Sequence, residues 1–464
     1  MTPIGKKRSR IAIGCQRFRH LKSLEDCHAF GQTVTSLTTS LPQPPPAPSA
    51  LAKRTHDINV RCFQEVPSSS HPDLSRTPED ALHGARHTET TDDYLVQSNT
   101  LDEREATLMR NFVENMALWA DATDPYQHFG VEVPLRAMSE PVLRYAIFAF
   151  SSRHLDRQKN ASSAEALQYH NRCLQLLIPV LSDSENRINE IVLAAIAILR
   201  QLEEMDCEDN QFHLTGTTHI LNTVSHIGSS GGLGEAAAWL CLREDIQISL
   251  TSQQPLRTNL GSFGGSDTFT RTDDYAWANR MVFLLAKLLK VTFDNTMTHP
   301  TVLDNLEEEI EHWNTRKPRS FRPIHFVPRG KDLLQRFPEI WMLLPVHVVG
   351  VQYYHIAKIV LAFTQSPIPS RTYANLRNSR SIEKTMRRHL LLVLGLAKSN
   401  PKAENTLFTA RHSLVAWGWA LRHKLDQEAA ENLLWDMEAK TGWDVAQSVQ
   451  ALRGHWKEEE EEDN

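Results

Sequence analysis

The chain has 464 residues, 41% of them apolar and 23% charged, and a formal charge of −6. Six of its acids form the run Glu458–Asp463, so the remaining acids balance the 50 lysines and arginines. The body therefore lacks the global basic excess of a small nucleic-acid-binding domain, and no apolar run reaches the roughly 18 residues that predict a transmembrane helix.

Residues 1–100 read as a disordered arm. Leu41-Pro-Gln-Pro-Pro-Pro-Ala-Pro48 favours polyproline II and blocks helix. Pro67-Ser-Ser-Ser-His-Pro72 and Ser75-Arg-Thr-Pro78 continue the polar, proline-marked composition, which buries too little apolar surface to offset ordering entropy. Within the arm Lys6, Lys7, Arg8, Arg10, Arg17, Arg19 and Lys22 precede any acid. Such a patch suits nuclear import or contact with a DNA backbone, and equally a solvated basic terminus. The six cysteines, Cys15, Cys27, Cys62, Cys173, Cys207 and Cys241, are scattered, and the basic start lacks an apolar signal core. Reduced thiols in a nuclear or cytosolic setting are expected.

From Leu101 the pattern turns helical. Leu108, Phe112, Met116 and Trp119 make one face of a helix over Glu103 to Ala120. Asp121 to Pro134 reads as a loop. Pro141 then opens a helix, with Ser139 as its N-cap, that is apolar from Val142 to Phe150 except at Arg144. A helix apolar on every side belongs inside a protein, so this stretch is expected to be the hub. Past Phe150 it turns polar at Ser151-Ser-Arg-His154.

Further helices are expected over Ala161 to Leu181, with a face of Leu167, Leu174 and Leu177-Ile178, and over Asn189 to Asp206, apolar without a break from Ile191 to Leu199 between Glu190 and Arg200. Phe212 to Ile227 is weaker and ends at the Gly228–Gly234 loop. Glu235 to Leu250, Tyr275 to Phe293 and Leu303 to Trp313 follow. Lys317 to Gly330 reads as extended, and Asp332 to Phe363 as one long helix kinked at Pro345. Ile382 to Ser399, Leu407 to His423, Glu428 to Lys440 and Val445 to Arg453 complete the set. Neither period-2 alternation nor a βαβ rhythm is visible. The expected fold is all-α, an irregular array of about a dozen antiparallel helices after the arm.

Little of this spells chemistry. His-Glu-x-x-His and the phosphate-loop motif are both missing. Asp92-Asp93, Asp273-Asp274 and Glu203-Glu204 with Asp206 lack the partner carboxylates a magnesium-diphosphate site needs, and read as capping or solvated acids. The Gly228–Gly234 loop has no strand before it and reads as a linker. His154, His219, His347 and His355 sit among apolar residues as core or boundary histidines, with an acid such as Asp156 as the expected partner at Arg153-His154. Trp341, Trp417 and Trp419 read as core aromatics.

Tyr145-Ala-Ile-Phe-Ala-Phe-Ser-Ser-Arg-His-Leu155 resembles the signature of the fungal-specific transcription factor domain. Tyr169-His-Asn-Arg-Cys-Leu-Gln-Leu-Leu177, Ile191 to Met205 and Gly216-Thr-Thr-His-Ile220 are similar to the elements that follow it, over roughly Leu101 to Trp456. The resemblance implies the regulatory domain of a fungal zinc-cluster transcription factor, acting in the nucleus and not as an enzyme. In that family six cysteines hold two zinc ions and place a helix in the major groove. This sequence departs there. Cys15 looks like a remnant, Phe18 and Glu25 stand where the next cysteines belong, and three thiolates before residue 170 cannot bridge two zincs. No cofactor or metal ligand is therefore assigned, and zinc enters only if a complete cysteine cluster is missing from the sequence as given.

The expected organisation is an arm over 1–100 with a degenerate cluster remnant, a helical regulatory domain over 101–456 and an acidic tail over 457–464. Expected partners are other transcription proteins, self-association and weak or indirect DNA contact, with no membrane; a small-molecule effector is compatible. The rival reading is an all-α enzyme or sensor acting on an apolar metabolite in a helix-lined pocket.

Overall fold

The computed structural model describes residues 100–462 apart from 160, 162–163, 183–187, 206–210, 225, 295–299, 331–334 and 365–379. Across these residues the fold is all-α, as expected, with one pair of three-residue strands. Helix α1 (Glu103–Asn111) starts with a reciprocal cap. Asp102 accepts the Glu105 backbone N–H at 2.7 Å, and Glu105 accepts that of Asp102 at 3.2 Å. Two N–H groups that a helix start leaves open are thereby satisfied. A π turn, Phe112–Met116, leads into α2 (Ala117–Ala120), and Leu108, Phe112, Met116 and Trp119 are all buried. The stretch read as a loop contains a short helix, α3 (Glu132–Ala137). It tolerates Pro134 because first-turn N–H groups have no intrahelical acceptor.

Helix α4 (Pro141–Gln158) is the expected hub. Its N-cap position is Glu140 rather than Ser139, with no side-chain cap. Although the helix turns polar after Phe150, it stays inside, since Ser151, Ser152, His154 and Asp156 are also buried. Their polar groups find partners on neighbouring elements. Ser151 Oγ donates to the Leu108 carbonyl at 2.7 Å, and Ser152 Oγ donates to Glu165 at 2.7 Å. Helices α5 (Glu165–Ser182) and α6 (Glu190–Met205) pack along α4. The buried line of α5 is Ala166, Cys173 and Leu177; Ile178, placed inside by the sequence reading, is exposed.

Helix α6 is buried from Ile191 to Leu202, including Arg200, and packs on α7 (Phe212–Thr223) and α8 (Gly232–Ser252). The second half is built around α11 (Pro345–Thr364), which packs against α9 (Asp274–Phe293), α10 (Pro300–Arg316) and α12 (Arg380–Ser399). Pro345 opens α11 instead of kinking a longer helix. By length and composition α11 could cross a membrane, yet 78% of its most apolar window is buried in the domain. Helices α13 (Asn405–Trp417), α14 (Lys424–Thr441) and α15 (Ala446–Glu462) finish the chain, and α13 returns to pack on α8. One apolar cluster runs from Leu108 to Trp456, so both halves share a core.

The strands, β1 (His325–Val327) and β2 (Glu339–Trp341), pair antiparallel with Phe326 opposite Ile340. Ser399 Oγ and Asn400 Oδ1 accept the Ile340 and Met342 backbone N–H groups at 3.0 and 2.9 Å, tying β2 to the end of α12. Trp341, expected in the core, is half exposed on this pair, whereas Trp417 and Trp419 are buried.

The approach of β2 to α12 requires a glycine. A Cβ on Gly395 would stand 2.3 Å from the Pro338 carbonyl oxygen, a clash relieved only by moving backbone. Gly395→Ala is expected to destabilise the full chain by about 1–3 kcal/mol, read from urea unfolding midpoints. An unchanged midpoint would show that the β2 segment is free to retreat.

Candidate functional site

The basic patch of Lys6, Lys7, Arg8, Arg10, Arg17, Arg19 and Lys22, Asp92-Asp93 and Cys15, Cys27 and Cys62 all lie outside the described residues. Among the described residues no group of three or more His, Cys, Asp or Glu side chains is arranged to hold a metal ion. Cys173 and Cys241 are buried free thiols. Burial pushes the Cys173 thiol up to about 12 and that of Cys241 higher still, which makes both poor nucleophiles.

The acidic pairs separate in role. Asp273 caps α9 through the Ala276 N–H at 3.1 Å, as expected, and pairs with Arg271. Asp274 is no cap, and its side chain is only a quarter exposed. It accepts from Ser320 Oγ at 2.7 Å and lies 2.8 Å from Nε2 of the fully buried His347. Glu203 caps α7 by accepting the Phe212 and His213 N–H groups at 2.8 and 3.1 Å. Glu204, also read as capping or solvated, is buried instead. His412 Nε2 lies 2.7 Å from its Oε1 and Arg411 Nη1 3.1 Å away. Arg200, 1% exposed, lies within 3.4 Å of Glu203 and 3.5 Å of Glu244. A buried charge needs such partners, because leaving water is costly unless opposite charge and hydrogen bonds replace it. His412 and the two arginines hold Glu204 well below the usual carboxylate range even though burial opposes this. Burial lowers the His412 imidazole while Glu204 raises it, and its Nε2–H donates to the carboxylate.

The histidines are mostly interior. His154 lies against amides rather than an acid, with Asn111 Nδ2 3.1 Å from Nδ1 and Gln158 Nε2 3.2 Å from Nε2. Its ring also meets Trp119 edge-on at 5.6 Å, beside Phe150, Phe408 and Trp443. His355 and His389 face each other across α11 and α12 with Nδ1 atoms 3.0 Å apart. Burial lowers His154 and His389 to about 4 and His355 to about 3. His219, expected at the core boundary, is exposed.

The Gly228–Gly234 stretch is no simple linker. A 3-10 turn covers Ile227–Ser229, and α8 begins at Gly232 with Gly231 and Gly232 in the left-handed region. These glycines border a cleft of about 80 Å³ that runs along α8 to Arg243. Arg243 also lines a second, narrower crevice, together with Glu244, Tyr353 and Glu204. Cleft and crevice have no sequence motif, because they are assembled from stretches around residues 119–128, 201–204, 231–247, 267–279, 353, 405–409 and 443.

Residues 108–252 match the family model of the fungal specific transcription factor domain. The match runs from the end of α1 through α8, takes in the stretches from Tyr145 to Ile220 that carry the resemblance, and stops short of the helices after 252 over which the resemblance was also expected to extend. It supports a fungal transcriptional regulator in general. The curated proteins and the solved structures searched contain no match.

Glu204→Gln leaves Arg411 and His412 without their buried carboxylate, while Arg200 keeps Glu203 and Glu244, and is expected to lower stability by about 3–5 kcal/mol, measured by urea unfolding at neutral pH. A loss below about 1 kcal/mol would place the group in effectively solvated surroundings. The His355–His389 pair gives a pH dependence. Both rings are uncharged in the fold, so the unfolded chain takes up their protons first, from about pH 6.5 downward. Stability tied to them is complete above that pH and is lost as pH falls towards 3–4. His355→Asn should flatten this acid limb relative to the parent chain, and parallel curves would mean that the ring protonates within the fold.

Proposed function

We propose that the chain is a nuclear, non-enzymatic transcriptional regulator of the fungal zinc-cluster type. In this reading residues 101–456 form its regulatory and partner-binding domain, 1–100 a basic and proline-rich arm, and 457–464 an acidic tail. The single observation that carries the reading is the family match over 108–252. The burial of the matched segment's charges against Arg411 and His412 favours a regulatory body that extends well past 252.

Three cysteines before residue 170 are too few for a two-zinc cluster, so DNA contact by this sequence would be electrostatic. The arm residues Lys6, Lys7, Arg8, Arg10, Arg17, Arg19 and Lys22 would meet phosphates without reading bases. Sequence-specific reading would then come from partner proteins, or from a cysteine cluster encoded outside this sequence.

A fluorescently tagged full chain, expressed in a fungal cell, should accumulate in the nucleus, and alanine at all seven arm positions should abolish that accumulation. In gel shifts the parent chain should bind unrelated duplexes alike, with an affinity that falls steeply with salt. Tight binding that persists at high salt and prefers one sequence would overturn the electrostatic reading. Cytoplasmic retention of the parent chain would overturn the nuclear one.

A further inference from the structure

Three stretches distant in sequence meet at Thr123. Arg243 Nη1 donates to Thr123 Oγ1 at 2.8 Å, and Nη2 donates to the Ala120 carbonyl at 2.5 Å. Asn279 Nδ2 donates to the Thr123 carbonyl at 3.3 Å. The guanidinium and the amide are thus brought together where the cleft meets the interior. The cleft follows one face of α8 from Gly232 past Glu235, Ala236 and Trp239 to Arg243, a span of about 16 Å at the helical rise. At its mouth a Cβ on Gly231 or Gly232 would meet nothing within 4 Å.

Two groups at the inner end have unused capacity. Arg243 is 6% exposed; the carboxylates of Glu244, Asp121 and Asp124 act on it from a distance, but among the described residues none lies within ion-pair distance of it. Its acceptors are a hydroxyl and a carbonyl. A guanidinium carries five N–H donors and is rarely buried without an anion. Asn279 is 5% exposed, and its Oδ1 accepts no hydrogen bond. An orphaned buried acceptor of this kind calls for a donor.

The acids that line the cleft are already engaged. Glu235 accepts from the Gly231 N–H at 3.0 Å, from Trp239 Nε1 at 3.2 Å and from Ser266 Oγ at 2.5 Å. Asp124 accepts the Tyr126 and His128 backbone N–H groups at 3.0 and 2.7 Å. Asp267 pairs with Arg271 at the mouth. These acids still repel a multiply charged anion, and the volume admits only a few heavy atoms beyond several waters.

We propose that this cleft binds a small monocarboxylic acid with a hydroxyl or ammonium group beside its carboxylate. The carboxylate accepts from the free N–H groups of Arg243, and the neighbouring donor points at Asn279 Oδ1. The aliphatic remainder lies against Trp239. Arg243 also walls the inner crevice beside Glu204 and Tyr353, so the ligand acts at the seam between the two halves of the core. Binding of this kind does not rest on the transcriptional reading, and either can fail while the other stands.

The test is calorimetric titration of the full chain with glycolate, lactate and glycine, beside acetate and inorganic phosphate. At least one of the first three should bind in the millimolar range or tighter, and acetate about tenfold more weakly, since it leaves Asn279 unsatisfied. Arg243→Lys keeps the charge but loses the fork, and should weaken binding about tenfold or more. Ala236→Phe fills the floor of the cleft without touching Arg243 and should abolish binding. Thermal unfolding of each variant checks that it folds, and Asn279→Leu replaces Arg243→Lys if that chain does not. No binding by any of the five compounds would mean that the cleft holds only water and would overturn the proposal. Acetate or phosphate binding as tightly as glycolate would overturn the role of Asn279, and undiminished binding to folded Arg243→Lys and Ala236→Phe would place the ligand elsewhere.

Discussion

A helix with no polar face must be covered on every side, and α4 imposes that constraint on the molecule. Its apolar run, Leu143 to Phe150 apart from Arg144 and Tyr145, is buried. Helices α1, α5 and α6 are held against it accordingly. Burial of large side chains such as Phe148 and Phe150 stabilises the arrangement by about 1.5–3 kcal/mol each. Once neighbours surround the helix, its polar end is enclosed with it. Ser151, Ser152 and His154 then take partners from those neighbours because water is excluded.

The same logic, applied to charge, joins the two halves. Helix α6 carries Arg200, Glu203 and Glu204 into the interior, and α13 brings Arg411 and His412 to meet them. Apolar contacts alone would allow α13 to slide or rotate over α8 with modest loss, since they are non-directional. A charge-assisted contact at 2.7 Å does not. The network therefore fixes where the last third of the chain sits relative to the segment that carries the family match.

Much of the helix order was legible because a stripe such as Leu108, Phe112, Met116 and Trp119 writes its own geometry at period 3.6. The polar interior was not. Nothing near Glu204 in sequence distinguishes it from a solvated acid, and its partners stand more than 200 positions away. Ile178 and Leu167 illustrate a smaller error. On a helix apolar around much of its girth, periodicity leaves the buried line uncertain by a residue, and packing against α4 selected Ala166, Cys173 and Leu177. The strands escaped notice because three residues are too few to show alternation, and much of the support for β2 comes from Ser399 and Asn400. The cleft at Arg243 escaped for a related reason. Its polar groups come from three stretches, each reading as an ordinary helix or turn.

The span between Glu204 and His412 has a consequence for synthesis. A chain emerging from the ribosome exposes Arg200 and Glu204 long before Arg411 and His412 exist. Until then an almost wholly apolar α6 carries charges that its neighbours cannot fully neutralise. The amino-terminal half must therefore wait, collapsed but not locked, for the carboxyl-terminal helices. Its exposure to chaperones is set by the translation time of the intervening two hundred codons, and a premature stop anywhere in that interval releases a product that has its hub helix but not the charges that lock it.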